Sequence, residues 1–335
     1  MIKTILVILP KSIAGSLILK GLGFAFNEIG FNVVIINIDD FQEEIIKKYN
    51  VQIVLGYDYS YLMDENVYKT LTQFKNLIFI HYFADIPTSQ LALGDKNIEL
   101  YNILQTKKNT LIYIWDNNYL NLFKNSRFLP LGINSKFYKT EFKSYKYPIS
   151  FVGRPVGQKR IELLCEIVKK YKNNFSLFCY RPHFEKSVEY IIENNLLNEN
   201  DLYIYKNCHK GFLKNEKELA FVYNSSKINL NITIQGENNI NYRVYEVLAS
   251  EGFLLTDKMD DIFKNFEVGK DLEVYYNTYD LFDKIDFYLK NEYILEQIAL
   301  NGCEKVEKNH SFNNIALKIK NDIFFDIVFF LTKKI

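Results

Sequence analysis

Short runs of β-branched and aromatic residues alternate along this chain with stretches whose apolar positions recur at helical spacing. In the first part, Ile5–Leu9, Asn32–Asn37, Val51–Leu55, Leu77–His81 and Leu111–Trp115 read as strands. Ile13–Ile29 and Asp40–Tyr49 carry a helical pattern between them, and Tyr61–Phe74 does so more loosely. Strands alternating with helices predict parallel βαβ units wound on both faces of a sheet. Ligands of such sheets bind beyond the carboxyl ends of the strands, which selects Lys11–Ser16, Gly56–Ser60, His81–Thr88 and Asp116–Asn118 for inspection.

The pattern lapses over Leu129–Pro148, which is polar and turn-rich and reads as an interdomain linker. It restarts with strands at Ile149–Val152, Phe175–Tyr180, Leu202–Tyr205, Ile228–Ile232, Phe253–Thr256 and Leu272–Tyr275. Helices are expected at Lys159–Tyr171, Phe184–Asn194, Glu216–Asn224 and Tyr242–Ser250, and three more, Tyr279–Lys290, Tyr293–His310 and Phe312–Phe330, close the chain. The expected architecture is α/β: two Rossmann-like doubly wound domains, residues 1–140 and 148–312, facing a central cleft, with a last helix at 313–335 packing back onto the first domain. Such a cleft suits a reaction between two ligands, one held by each domain.

Composition narrows the picture. The 335 residues are 48% hydrophobic and 24% charged, which excludes a disordered chain. Lys plus Arg is 41 and Asp plus Glu is 40, so the net charge of +1 gives no general grip on nucleic acid. Four cysteines, Cys165, Cys179, Cys208 and Cys303, show no C-x-x-C spacing and read as buried thiols of a reducing, cytoplasmic setting. The apolar run Ile5–Leu9 is shorter than a secretory core and reads as a buried strand. Asp326 interrupts the apolar tail, so a packed terminal helix is expected there rather than a membrane anchor.

Several segments could carry chemistry. The turn holding Ser12 and Gly15 matches neither a dinucleotide fingerprint nor a P-loop, yet a helix start with small residues can approach an anion. In FVGRPVGQKRIELL, Arg154 follows a strand and Lys159 and Arg160 open a helix, where cations oppose the macrodipole unless an anion is present. A diphosphate would fit this cluster, as would a solvated basic turn. In NINYRVYEVLASEGFLLTD, Asn241 suits an N-cap and Arg243 lies in the first helical turn. Glu246, one turn on, could accept two sugar hydroxyls or pair with Arg243. In HYFADIPTS, His81 or Asp85 could serve as a general base, although Asp85 also suits a turn. His183, His209 and His310 have no metal-ligand spacing, and no metal is expected.

The segments KGFLKNEKELAFVYNSSKINLNI, NINYRVYEVLASEGFLLTD and FEVGKDLEVYYNTYDLFDKIDFYLKNEYILEQIALNGCEKVEKNHSF, in this order, resemble the C-terminal half of the CgeB-like (spore maturation protein-like) glycosyltransferases. FLPLGINSKFY and ISFVGRPVGQKR extend the resemblance to roughly the last two-thirds of the chain. It implies the GT-B fold, with a nucleotide-sugar donor in the second domain and an acceptor in the first. It further implies that Arg154, Lys159, Arg160 and Arg243 meet the diphosphate, with Asn241 and Tyr242 beside them. Glu246 would meet the ribose or the donor sugar, and the backbone around His209, Gly211 and Phe212 would flank the nucleobase. Retaining enzymes of this fold often carry two glutamates separated by seven residues ahead of this helix. Here the first position is Asn238, with Glu237 adjacent, which leaves the stereochemistry open.

The expected activity is metal-independent, cofactor-free transfer of a sugar from a nucleoside-diphosphate sugar to a glycan, lipid-linked or protein hydroxyl in surface-glycan synthesis. It would run in the cytoplasm with peripheral membrane contact. A nucleotide-sugar epimerase or hydrolase of the same shape, and a non-catalytic nucleotide- or glycan-binding module, are the alternatives.

Overall fold

The computed structural model describes residues 3–58, 61, 64–74, 76–84, 109–123, 126–141, 144–234 and 239–332, with the backbone alone at 72 and 326–332. The chain divides into two compact units, residues 1–134 with 310–335, and residues 135–309.

In the first unit, β1 (Thr4–Leu9), β2 (Asn32–Asn37), β3 (Val51–Tyr57), β4 (Ile78–Phe83), β5 (Thr110–Ile114) and β6 (Ser126–Phe128) form one parallel sheet ordered β2-β1-β3-β4-β5-β6. Ile5 to Ile8 of β1 are fully buried, as a strand covered on both faces requires. The connecting helices are α1 (Ile13–Glu28), α2 (Glu43–Lys48) and α3 (Glu65–Gln73), the last capped by the Asp64 carboxylate, which accepts from Asn66 N and Val67 N.

In the second unit, β7 (Tyr147–Val152), β8 (Phe175–Phe178), β9 (His209–Gly211), β10 (Ser226–Asn231), β11 (Leu254–Asp257) and β12 (Glu273–Tyr275) form a second parallel sheet ordered β12-β11-β10-β7-β8-β9. Its helices are α4 (Gln158–Tyr171), α5 (Arg181–Glu193), α6 (Glu199–Cys208), α7 (Glu216–Asn224), α8 (Tyr242–Ala249), α9 (Asp260–Asn265), α10 (Thr278–Lys290) and α11 (Glu292–Asn309). Helix α12 (Phe312–Thr332) belongs to the first unit. It lies close against α1, where a side chain at Gly21 would meet the Phe312 ring at 2.7 Å.

Three expectations change. Leu202–Tyr205 lies inside helix α6, not in a strand: Asn198 caps the helix by accepting from Asp201 N at 2.8 Å, and Asp201, Tyr205 and Cys208 share its buried face. The cap and the core outweigh the β preference of Leu-Tyr-Ile-Tyr. The boundary between the units falls inside Leu129–Pro148, where the linker is expected, although Leu129, Leu131, Ile133 and Tyr138 in it are buried. The division falls between Asn134 and Ser135, ahead of the expected one. Strand β4 continues to Phe83, so His81 lies within it rather than at its end. All four cysteines are free and buried, and among the described residues no helix is long and apolar enough to cross a membrane.

Candidate functional site

Ligands of doubly wound sheets settle where the strand order reverses, beyond the carboxyl ends of the two diverging strands. In the second sheet that point lies between β7 and β10. Strand β7 runs into Gly153-Arg154, and β10 runs into Ile232-Thr233. Gly153 has φ +152° and its N–H donates to Phe178 O at 2.9 Å. A side chain at Gly153 would overlap the Arg243 guanidinium, so glycine is what admits the arginine to this edge.

Arg160, 5% exposed, donates from Nη1 to Arg154 O at 2.8 Å and from Nη2 to Ile232 O. It therefore straps the two loops at the reversal point together. This corrects the expectation that its side chain meets a diphosphate directly. Lys159 is exposed, but its Nζ pairs with Asp257 Oδ2 at 3.1 Å. Asp257 also accepts from Thr233 N at 3.1 Å and from the Thr233 hydroxyl, so Lys159 is already neutralised at a pinned loop. Arg154 is exposed and forms no ion pair among the described residues.

Arg243 sits in the first turn of α8. Its Nη1 donates to Asn231 Oδ1 at 2.8 Å, and its guanidinium carbon lies 5.1 Å from the centre of the buried Phe151 ring. The Arg160 guanidinium carbon lies 5.4 Å from the same ring. Each cation–ring contact contributes about 0.5–2 kcal/mol, and the shared ring draws two positive groups to one place. Among the described residues Arg243 has no carboxylate within ion-pair distance. Its principal acceptor is the neutral Asn231 amide, so its charge remains available to an outside anion. Asn241 precedes α8, and its Nδ2 donates to the same Asn231 oxygen at 3.2 Å, so the side chain does not cap the helix. Asn241 Oδ1 is buried and lacks a partner among the described residues.

Glu246 is 8% exposed. Its two oxygens accept from Tyr138 Oη at 3.1 Å and Tyr223 Oη at 3.4 Å. Burial pushes its carboxyl up to about 7, against the pull of Arg243 and of the two tyrosine hydroxyls. Tyr242 is buried beside this group, where burial and the Glu246 charge raise its phenol far above the ordinary range. Glu246 thus sits in a tyrosine cage, with both oxygens already engaged, rather than open for a sugar.

Beyond β8 and β9 the strand ends carry rings. Tyr180 is 53% and Phe212 38% exposed, and they meet edge to face at 5.8 Å. His183 lies 5.7 Å from Tyr180, and burial together with Arg154 and Lys186 pushes its imidazole below the usual range. His209 stacks on Phe184 at 4.4 Å while its Nε2 meets Cys179 O at 2.9 Å, so its ring is spent on packing. Gly211 has φ +108°, and its carbonyl accepts from Cys179 N at 2.9 Å.

The first-unit candidates are placed differently. His81 is fully buried, with Nδ1 at 3.0 Å from Tyr61 Oη and its ring stacked on Tyr61 and Phe79. It has no solvent-facing surface from which to meet an acceptor. Ser12 precedes α1 without a side-chain cap bond, and a side chain at Gly15 would meet Ser12 Oγ at 2.6 Å and Pro10 Cγ at 2.8 Å. That tight turn holds the helix start against the strand. Asp85, Glu237 and Asn238 lie outside the described residues.

The sequence reading passed over Asn231, Asp257, Tyr138 and Tyr223. A signal existed for the first. In Ile228-Asn229-Leu230-Asn231, polar residues fall at every second place of a strand covered on both faces, and both are buried. Buried amides have to be hydrogen-bonded, which marks them as organisers of their surroundings.

Residues 160–321 match a family model described as glycosyl transferase-like. The chain superimposes on sucrose-phosphate synthase from Thermosynechococcus elongatus with TM-score 0.67 at 14% identity, over 98% of this chain and 99% of that one. For Anabaena HepE in complex with UDP-glucose the TM-score is 0.66 at 10% identity, over 96% and 99%. For a glycosyltransferase from Rickettsia africae it is 0.65 at 16% identity, over 97% and 99%. No curated protein matches the sequence. The chain has the GT-B glycosyltransferase fold, and residues 160–321, which take in most of the second unit and the start of α12, are similar to the glycosyl transferase-like family.

Proposed function

We propose that the protein is a glycosyltransferase of the CgeB-like branch, moving a sugar from a nucleoside-diphosphate donor to a hydroxyl acceptor. The observation that carries this reading is Arg243: a cation at the strand-order reversal, stacked on Phe151, held by a neutral amide and, among the described residues, without a carboxylate partner. As the glycosidic bond to the donor breaks, negative charge grows on the departing diphosphate. A prearranged guanidinium and the amino end of α8 stabilise that charge in the transition state. Arg154 adds a second positive group at the same edge. In this reading these groups, and no metal, hold the leaving group. The exposed Tyr180 and Phe212 rings offer an apolar surface for a base.

The solved complex of HepE with UDP-glucose supports a UDP-sugar as the first donor to try. Surface-glycan synthesis in the cytoplasm, with a glycan, lipid-linked or protein acceptor, is the setting we propose. A thermal-shift screen with UDP, GDP, dTDP, CDP and CMP tests the reading. A nucleotide at roughly 100 times its Kd stabilises by about 2.7 kcal/mol, a melting shift on the order of 5 °C. Absence of any shift, together with absence of sugar transfer from the matching donors, defeats it.

A further inference from the structure

We infer that Asn231 is a positioning residue that aims the Arg243 guanidinium at an incoming anion while offering it a neutral acceptor that adds no counter-charge; the inference rests on the donor-site reading above. Asn231 is fully buried at the carboxyl end of β10. Its Oδ1 accepts from Arg243 Nη1 at 2.8 Å and Asn241 Nδ2 at 3.2 Å, and its Nδ2 donates to Thr256 Oγ1 at 2.9 Å. Its backbone carbonyl accepts from Tyr275 Oη at 3.4 Å. The side chain is therefore fixed from both ends and holds two side chains of the α8 amino end in one orientation.

The neighbouring carboxylates show why the neutral acceptor matters. Asp257, which ends the adjacent strand β11, is committed to Thr233 and Lys159. Glu246, one helical turn beyond Arg243, is held by Tyr138 and Tyr223 and pushed up to about 7 by burial. Among the described residues both acids thus have hydrogen-bond partners other than the arginine, and the Asn231 amide that meets the guanidinium brings no charge. A carboxylate at position 231 would form the same hydrogen bond but would satisfy Arg243 as an ion pair, leaving less of its charge for a ligand.

The test compares Asn231→Asp, Asn231→Ser and Asn231→Ala in the full chain. Melting temperature is read alongside affinity for inorganic pyrophosphate and for UDP, GDP, dTDP and CDP by calorimetry. In shape, Asp is the nearest substitute and Ala the furthest, so a merely structural residue gives the mildest loss with Asp in both readouts. A positioning residue inverts the order. Asn231→Asp melts closest to wild type yet weakens diphosphate binding by roughly 10–100-fold, the loss expected when a charged partner is withdrawn from an anion. Asn231→Ala melts lowest, yet its affinity falls by only about 3–10-fold because the cation survives unaimed.

The same order in both readouts overturns the inference. Should the Asp variant not fold, the Ser variant decides. Affinity within about 3-fold of wild type for Ser, against a larger loss for Ala, upholds the role; equal affinity in all three proteins overturns it. Failure of the wild-type protein to bind any of the probes removes the donor-site reading, and this inference with it. Binding by wild type that Asn231→Asp leaves unchanged removes this inference alone.

Discussion

Two cations show how differently the two sheets use their strand ends. Lys11, after β1, reaches Asp39 Oδ1 at 2.9 Å on an open surface, with 75% and 69% of the two side chains exposed. Arg243, beside the reversal point of the second sheet, meets a buried amide and an aromatic ring instead. Among the described residues both sheets have six parallel strands, and both have a reversal point, between β1 and β3 and between β7 and β10. Topology thus supplies two possible sites, and side-chain chemistry arms one of them. A lysine with a carboxylate at hand is a finished ion pair that contributes little. An arginine set against Phe151 and Asn231 has, among the described residues, no ion-pair partner, and under the proposed function an arriving anion supplies one.

Substitutions can break this contrast at either end. The largest effect is expected from Arg243→Ala, which should lower kcat by about 10²–10³-fold, the usual loss when a transition-state donor is removed, while circular dichroism and melting stay near wild type. Unaltered turnover would show that the arginine is packing alone. Next comes His81→Ala in the first unit. Emptying a fully buried site and removing the ring that the Tyr61 hydroxyl meets should cost roughly 2–4 kcal/mol in denaturant unfolding, yet leave nucleotide affinity untouched. A selective loss of affinity without destabilisation would make His81 functional after all.

Glu246 sharpens the comparison through pH. Its folded value of about 7 lies above the ordinary 4.5, so the native state holds the proton more tightly. The stability it contributes is full below about pH 4.5 and is lost as pH rises through 7. Glu246→Gln should therefore remove a decline in stability of roughly 2–3 kcal/mol between pH 5 and 8, seen as a difference in melting temperature that widens with pH. A constant difference would mean that the cage does not perturb the acid. Smallest of all, Lys11→Ala should change neither melting nor donor affinity, and a measurable loss of donor affinity would show that the first reversal point also binds the anion.

Much of this arrangement was legible from residue order. Strands such as Asn32–Asn37 announce themselves because continuous β-branched runs have few other uses, and Arg243 stood out because a cation at a helix start is unfavourable alone. What stayed hidden depends on contacts distant in the chain. Tyr138 and Glu246 are 108 residues apart, and only the fold turns a carboxylate that could greet a sugar into one enclosed by phenols. Arg160 looked like a ligand group because nothing local reveals that Ile232, 72 residues on, presents the carbonyl that consumes its donor. Helix α6 was misread because four β-prone residues outvoted an Asn cap three positions upstream of Asp201. The burial of Leu129–Ile133 was hidden because its period-two apolar pattern is brief and lies among lysines and tyrosines.

The crossing points of the chain have a practical corollary. Ile133 N donates to His310 O at 2.9 Å and Phe312 N donates to Ile133 O at 3.0 Å, so the segment leaving the first unit lies hydrogen-bonded beside the segment that returns to it. In gene-architecture terms residues 135–309 are a cassette spliced into a host whose own ends already touch. The cassette can be cut out as one uninterrupted reading frame for study by itself, whereas trimming the carboxyl terminus damages the host and spares the insert.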